Sequence, residues 1–129
     1  MKARFALTLI AAALVAGCVQ PPPAPPGLLD VAERPAEKAL LAGMRAYEDG
    51  QYADAEKQLG TALSSGLASP KDRAAAQKTL AFIYCTSSRM PECEAAFRAA
   101  KQADPGFALG KSEAGHPVWG PVYQRVQTP

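Results

Sequence analysis

Apolar and small side chains recur at three- and four-residue spacing in four stretches between residues 36 and 104. This spacing places them on one face of a helix, the face that a folded protein buries. The pattern therefore predicts four amphipathic helices. Their expected inner faces are Leu40, Gly43, Met44, Ala46 and Tyr47; Ala55, Leu59, Ala62 and Leu63; Ala76, Leu80, Ala81, Ile83 and Tyr84; and Cys93, Ala96, Phe97 and Ala100.

Polar segments rich in glycine, serine and proline separate these stretches. The predicted breaks are Asp49-Gly50, Ser65-Gly66, Ser87-Ser88-Arg89 and Asp104-Pro105-Gly106. Ser69-Pro70 gives the clearest helix start, because a serine N-cap accepts from free amides and proline suits the first helical position. The second helix is expected to begin near Tyr52 and the fourth at Pro91.

The first two predicted helices and the last two form two copies of one unit, offset by 38 residues. Small residues recur where two antiparallel helices approach closely, and larger residues recur where they interlock. The corresponding pairs are Gly43 with Ala81, Ala46 with Tyr84, Ala55 with Cys93, Leu59 with Phe97, and Ala62 with Ala100.

This repeat resembles the tetratricopeptide repeat. The first copy supplies Gly43, the Gly50-Gln51-Tyr52 turn, Ala55, Leu59 and Ala62, and the second supplies Leu80, Ala81, Tyr84, Phe97, Ala100 and Asp104-Pro105. The resemblance implies an all-α fold class: two tetratricopeptide-like hairpins, an α-solenoid fragment, over residues 36–108, followed by an irregular C-terminal tail at 109–129. The chain departs from the family in its period, which is 34 residues there, in lacking the usual tryptophan, and in Cys93 replacing alanine. The alternative is an unrelated pair of helical hairpins of nearly the same shape.

The N-terminal segment has the layout of an export signal. Lys2 and Arg4 precede an uncharged apolar run from Phe5 to Val15, which is shorter than the roughly 20 residues of a membrane span. The stretch from Leu14 to Cys18 resembles the bacterial lipobox, which implies that residues 1–17 are a lipoprotein signal peptide and that Cys18 carries a covalent lipid. The alternative is an ordinary signal in which the cysteine falls at this position by chance.

Residues 18–35 are predicted to be a proline-rich tether. Five prolines between 21 and 26 favour the extended polyproline II conformation, a semi-rigid spacer. By resemblance to Gram-negative lipoproteins, Val19 stands where an aspartate usually signals retention at the inner membrane. We therefore expect an outer-membrane lipoprotein whose domain faces the periplasm.

The net charge that remains after removal of the predicted signal makes nucleic acid a poor candidate class of partner. Removing residues 1–17 takes two of the 14 basic residues and none of the 12 acidic ones, which leaves 12 against 12. A neutral chain without a basic cluster is a poor nucleic-acid binder.

The two remaining cysteines are predicted to pair. In an oxidising compartment Cys85 and Cys93 are expected to form a disulfide; the alternative is two buried free thiols.

The sequence shows no catalytic or metal-binding constellation. His116 is the single histidine, and one histidine without further ligands does not build a zinc site. Acidic and basic side chains are interspersed along the first two predicted helices, which indicates a solvated helix face. These residues are Glu37, Glu48, Asp54 and Glu56 with Lys38, Arg45 and Lys57. We expect no enzyme activity, no metal, no small-molecule substrate and no cofactor besides the lipid on Cys18.

A surface for a protein partner is predicted on the first helix of each repeat. In tetratricopeptide arrays these helices line the concave side, and a mostly apolar lining suits a peptide or a helix. The tail that contains Trp119 either caps the array or presents the tryptophan to a partner. The predicted partner-binding residues are Leu40, Met44, Tyr47, Lys78, Phe82 and Trp119, together with the end of the third predicted helix around Cys85.

These inferences describe a lipid-anchored, non-catalytic adaptor in the cell envelope. Its size, its lipobox and its Gly115–Pro121 segment are similar to those of the small lipoproteins associated with type VI secretion (the TssQ family), which implies an accessory role beside a secretion machine. The alternative is a structural envelope lipoprotein for outer-membrane assembly or cell-wall attachment. An inhibitor or enzyme accessory is a further alternative.

Overall fold

The computed structural model describes residues 21–128, and this part of the chain is helical without a β-strand. Its helices are α1 (Leu28–Ala32), α2 (Pro35–Glu48), α3 (Tyr52–Ser64), α4 (Pro70–Thr86), α5 (Met90–Ala103), α6 (Lys111–Ala114) and α7 (Gly120–Gln127). The all-α fold class is confirmed. The four long helices start within one residue of the predicted positions. Cys18 and the predicted signal at 1–17 lie outside the described residues.

The start of α4 shows how local chemistry fixes a helix end. The Ser69 hydroxyl oxygen accepts a hydrogen bond from the backbone N–H of Asp72 at 3.2 Å, and Pro70 occupies the first turn. Serine thus satisfies one of the free amides of the first turn. The side chain of Arg73 then donates to the carbonyl oxygens of Leu67 and Ala68 at 2.7 and 2.9 Å, which ties the preceding connection to α4.

The four long helices pack as two hairpins, α2 against α3 and α4 against α5, joined by contacts of α4 with α2 and α3. Gly43 lies where α2 meets α3, and a Cβ atom added there would come within 2.8 Å of the Leu59 side chain. Glycine therefore allows the two helices to approach. Ala81 and Phe97, the counterparts one repeat later, are both fully buried.

The turns of the two hairpins have the same geometry. Gly50 and Ser88 follow the ends of α2 and α4 in the left-handed region, with φ of 74° and 61°. In each turn the next residue donates its N–H back to the helix, Gln51 to Ala46 and Arg89 to Tyr84, both at 2.8 Å. The left-handed residue also donates, Gly50 to Tyr47 at 3.0 Å and Ser88 to Cys85 at 3.2 Å. This pair of bonds is the Schellman motif, and it recurs at the 38-residue offset that the sequence predicts.

Cys85 and Cys93 form the predicted disulfide across the second turn. Their Cα atoms are 5.1 Å apart and their sulfur atoms are bonded, and both residues are buried. On the chain-entropy description, a bridge that closes so short a loop stabilises the fold by about 2.5 kcal/mol.

The C-terminal tail is more regular than predicted, since the sequence leaves room for only one short helix there, at residues 121–127. Its helices α6 and α7 replace most of the expected irregular segment, and α7 buries Val122, Tyr123 and Val126 against the second hairpin. Pro121 lies in the first turn of α7, where its missing N–H is not needed. At Gly120 an added Cβ would lie 2.5 Å from the carbonyl oxygen of Ala114, so glycine permits the close passage of α7 beside the end of α6.

The predicted tether also contains a short helix. Residues 21–27 have no regular secondary structure, but α1 follows, and the N–H of Gly27 donates to the Asp30 carboxylate at 3.1 Å. One turn of helix is too short to give a periodic signal in the sequence. Among residues 21–128, no helix has both the length and the hydropathy that spanning a bilayer requires.

Candidate partner-binding surface

The predicted partner-binding residues fall into two groups in the structure. Lys78, Phe82 and Trp119 come together where the tail covers α4. Leu40 and Phe82 are buried, at 8% and 5% exposure. Met44 and Tyr47 are partly buried beside the core, and the Met44 sulfur accepts a hydrogen bond from the Thr79 hydroxyl at 3.4 Å. The tail therefore occupies the α4 part of the predicted concave face.

Aromatic rings in an unbroken series attach the tail to the second hairpin. His116 stacks on Trp119 with ring centroids 3.4 Å apart, and Trp119 stacks on Phe82 at 4.2 Å. Phe82 meets Phe97 edge to face at 6.1 Å, and Phe97 meets Tyr123 at 5.5 Å. Both offset-stacked and edge-to-face pairs are favourable arrangements of aromatic rings. The tail and the core thus share one aromatic cluster.

Glu113 on α6 provides the polar part of this attachment. Its carboxylate accepts a hydrogen bond from the Lys78 ammonium at 2.8 Å and another from the backbone N–H of Gly110 at 3.1 Å. Its backbone carbonyl accepts from the Trp119 indole N–H, also at 2.8 Å. The Lys78 ammonium lies 5.7 Å from the centre of the Phe82 ring. One residue of the tail therefore orients both the cation and the indole.

The environment of Glu113 keeps its carboxylate charged. Burial raises its pKa, but the hydrogen bonds from Lys78 and from the Gly110 N–H, together with the Lys78 charge, outweigh burial and leave the pKa below its ordinary value. Burial also raises the pKa of Tyr47, and the charges of Tyr52 and Glu113 raise it further. The Lys78–Glu113 pair therefore holds the tail most strongly while Glu113 is ionised.

Arg89, in the turn between α4 and α5, connects the two hairpins. Its guanidinium donates to both carboxylate oxygens of Glu56 on α3 at 3.0 Å and lies 4.3 Å from the centre of the Tyr84 ring. A third hydrogen bond, from Nε of Arg89, reaches the Glu92 carboxylate at 3.4 Å. Sequence reasoning placed this arginine only in a polar break, because its partner Glu56 is distant in the chain.

A groove remains open between α1, α2 and the first turn of α4. It holds a cavity of about 160 Å³. Its lining, called here the acidic groove, comprises Leu28, Val31, Leu40, Leu41, Glu37 and Asp72. The prediction that Glu37 lies on a solvated helix face is wrong, because this residue is only 7% exposed. Sequence periodicity missed it because α1, which covers that face, gives no periodic signal.

Within residues 21–128, no three histidine, cysteine or acidic side chains lie close enough together to hold a metal ion. No protein-family model, no curated protein and no solved structure matches the chain. The resemblance to tetratricopeptide repeats and to type VI lipoproteins stays a prediction carried by the residues quoted above.

Proposed function

We propose that this protein is a lipid-anchored adaptor without catalytic activity, which holds a two-repeat helical module on the periplasmic side of the outer membrane and binds a protein partner there. The lipobox-like stretch that ends at Cys18 and the prolines after it support the anchor. The helical hairpins support the binding role, since stacked helix pairs create extended surfaces that proteins use for recognition.

The observation that carries the proposal is the equivalence of the two hairpin turns. The same hydrogen bonds and the same left-handed residue recur at a 38-residue offset, as expected when one supersecondary unit is used twice. This supports a tetratricopeptide-like array. By that resemblance, the partner contacts the concave face formed by α2 and α4.

Because the tail covers Phe82 and Lys78, the partner contacts predicted for the concave face and the tail are assigned to two places. One is the first hairpin, around Met44 and Tyr47, both partly buried. The other is the outer surface of the tail next to Trp119. Leu40 acts from within, by supporting the α2 surface.

By its resemblance to the type VI lipoproteins, we further place the adaptor beside an envelope-spanning secretion machine, where it assists assembly or stability. Sheath, baseplate and membrane-complex genes adjacent to this gene would support that placement. Cell-wall genes as neighbours, with secretion unaffected by deletion, would instead favour a structural envelope lipoprotein.

Lipid attachment is tested by labelling cells with an alkyne-bearing fatty acid. The wild-type chain should carry the label and sediment with the outer membrane, whereas Cys18→Ser should lose both properties. Cys93→Ser is a matched control, because it removes a different cysteine and should keep the label. An unlabelled wild-type protein, or a Cys18→Ser protein with unchanged location, would refute the anchor.

Partner binding is tested by placing a photo-crosslinking phenylalanine analogue at Tyr47 and, as a control, at Gly60. An added Cβ at Gly60 has no neighbour within 4 Å, so this position reports on the outer face of α3 without disturbing it. Illumination of living cells should give a specific crosslinked protein from Tyr47 and none from Gly60. Equal yields from both positions would contradict a dedicated concave face.

A further inference from the structure

The acidic groove joins an apolar wall to two carboxylates that form no ion pair with any residue between 21 and 128. Leu28, Val31, Leu40 and Leu41 form the wall, and the carboxylates belong to Glu37 and Asp72. No lysine, arginine or histidine of the described chain lines this cavity. The groove therefore offers apolar contact and negative charge in the same place.

Glu37 is the unusual member of this lining. It is 93% buried, yet among residues 21–128 no side-chain hydrogen bond or ion pair reaches its carboxylate. Arg34 and Ser65 border a second hollow on the other side of Glu37, but Arg34 forms no ion pair with it. Among residues 21–128, the one buried side-chain polar atom without a hydrogen-bond partner is Nε2 of Gln127. The Glu37 carboxylate therefore reaches the surface at the groove, where a donor from a binding partner can meet it.

Local helix geometry explains how the carboxylates are tolerated without a ligand. Glu37 lies in the first turn of α2 and Asp72 in the first turn of α4. The positive end of each helix dipole and the free N–H groups there favour negative charge. The site is thus prepared for a cation in advance.

The apolar part of the groove is open to solvent on the α1 side. Leu28 and Leu29 are 84% and 80% exposed, and Leu41 is 42% exposed. The cavity of about 160 Å³ is close in size to one that accommodates a benzene-sized group, about 150 Å³. One long side chain of a partner therefore fits inside while its neighbours cover the exposed leucines.

We infer that the acidic groove is the docking site for a segment of a partner protein that carries a lysine or arginine between apolar side chains, with the cation bound by Glu37 and Asp72. The complementary charge decides for such a segment over an acidic or purely apolar one. The inference rests on the proposed adaptor function and specifies the chemistry of the adaptor's partner.

The test uses the full mature protein and short synthetic peptides labelled with fluorescein, read by fluorescence anisotropy. The peptides carry leucines at helical spacing and differ at one position between them, which is lysine, glutamine or glutamate. The lysine peptide should bind most tightly and the glutamate peptide most weakly. Glu37→Gln should weaken binding of the lysine peptide by about tenfold, since a hydrogen bond to a charged group is lost, and should leave the glutamine peptide unchanged.

Glu48→Gln is the matched control, because Glu48 is exposed at the far end of α2 and its replacement should change nothing. Asp72→Asn provides a second, independent variant with the same expected direction. The inference would be overturned if the wild-type protein bound the three peptides with equal affinity. It would also be overturned if both groove variants bound the lysine peptide as tightly as the wild-type protein does. The protein could instead bind phosphatidylethanolamine–phosphatidylglycerol vesicles and none of the peptides. If the double variant Leu28→Asp, Leu29→Asp then lost vesicle binding, the result would overturn the inference in favour of a membrane contact.

Crosslinking in cells separates this inference from the function on which it rests. An analogue placed at Leu41 should capture a segment in which a basic residue lies between apolar ones, identified by sequencing the crosslinked peptide. Capture from Tyr47 without capture from Leu41 would refute the groove and leave the adaptor in place. Failure at both positions would count against the adaptor itself.

Discussion

Replacing Trp119 with alanine should destabilise the whole domain, although this residue lies in the tail. Its indole ring stacks on Phe82 with centroids 4.2 Å apart, and its N–H donates to the Glu113 carbonyl at 2.8 Å. Such a stack is worth about 0.5–1.5 kcal/mol beyond the buried area, and the hydrogen bond about 0.5–1.5 kcal/mol. With the loss of apolar burial added, the free energy of unfolding should fall by about 2–4 kcal/mol.

Thermal unfolding followed by circular dichroism measures this loss. A change of 1 kcal/mol shifts the midpoint of a domain of this size by about 4–8 °C, so Trp119→Ala should lower the midpoint by at least about 8 °C. Val118→Ala is the control, because Val118 is the exposed neighbour and should shift it by about 2 °C or less. Because Trp119 is the single tryptophan, native fluorescence gives an independent measurement. A solvent-like emission maximum in the wild-type protein, with equal midpoints for the two variants, would refute the docked tail.

Three further predictions concern the turns, the acid response and the disulfide. Ser88→Gly should raise the free energy of unfolding by about 0.5–1 kcal/mol, because glycine adopts the left-handed region freely. Gly50→Ser should lower it by a similar amount in the same urea denaturation assay. Destabilisation by Ser88→Gly or stabilisation by Gly50→Ser would contradict the shared turn geometry. The folded-state pKa of Glu113 is lowered, so its carboxylate stabilises the docked tail at neutral pH and stops doing so as the pH falls below about 4. The fluorescence emission of Trp119 should then shift to longer wavelength. Glu113→Gln should remove this acid-induced shift. Joint replacement of Cys85 and Cys93 by serine should cost about 2–3 kcal/mol in the same denaturation assay, and an unchanged midpoint would show that the bridge is dispensable.

The helices of the two hairpins could be predicted because local signals and packing agree. Ser69, Pro70 and Gly50 mark helix ends through backbone chemistry alone, and the structure places the ends there. The disulfide could be predicted because the chain is expected to be exported and because Cys85 and Cys93 lie on either side of the predicted break at Ser87-Ser88-Arg89. These features depend on residues close in sequence, where spacing is a reliable guide to geometry.

The tail and the acidic groove depend on contacts between distant segments, so the sequence leaves two roles open for the tail and does not predict the groove. Lys78 and Glu113 are 35 residues apart, and neither has a local signal for the pair. The burial of Glu37 depends on the short helix α1, which contributes one turn and no periodicity. Surface composition predicted a solvated carboxylate, whereas tertiary packing decided its exposure.

The two hairpins differ in how they are covered, and this difference has a consequence for binding. A repeat array exposes apolar faces at both ends and requires a cover for each. At the C-terminal end the chain supplies the cover itself, through Val122, Tyr123 and Trp119. At the N-terminal end it supplies only α1, which leaves Leu28 and Leu41 exposed. The first hairpin is therefore the incompletely covered one, and a partner that completes the cover would contact α1 and α2.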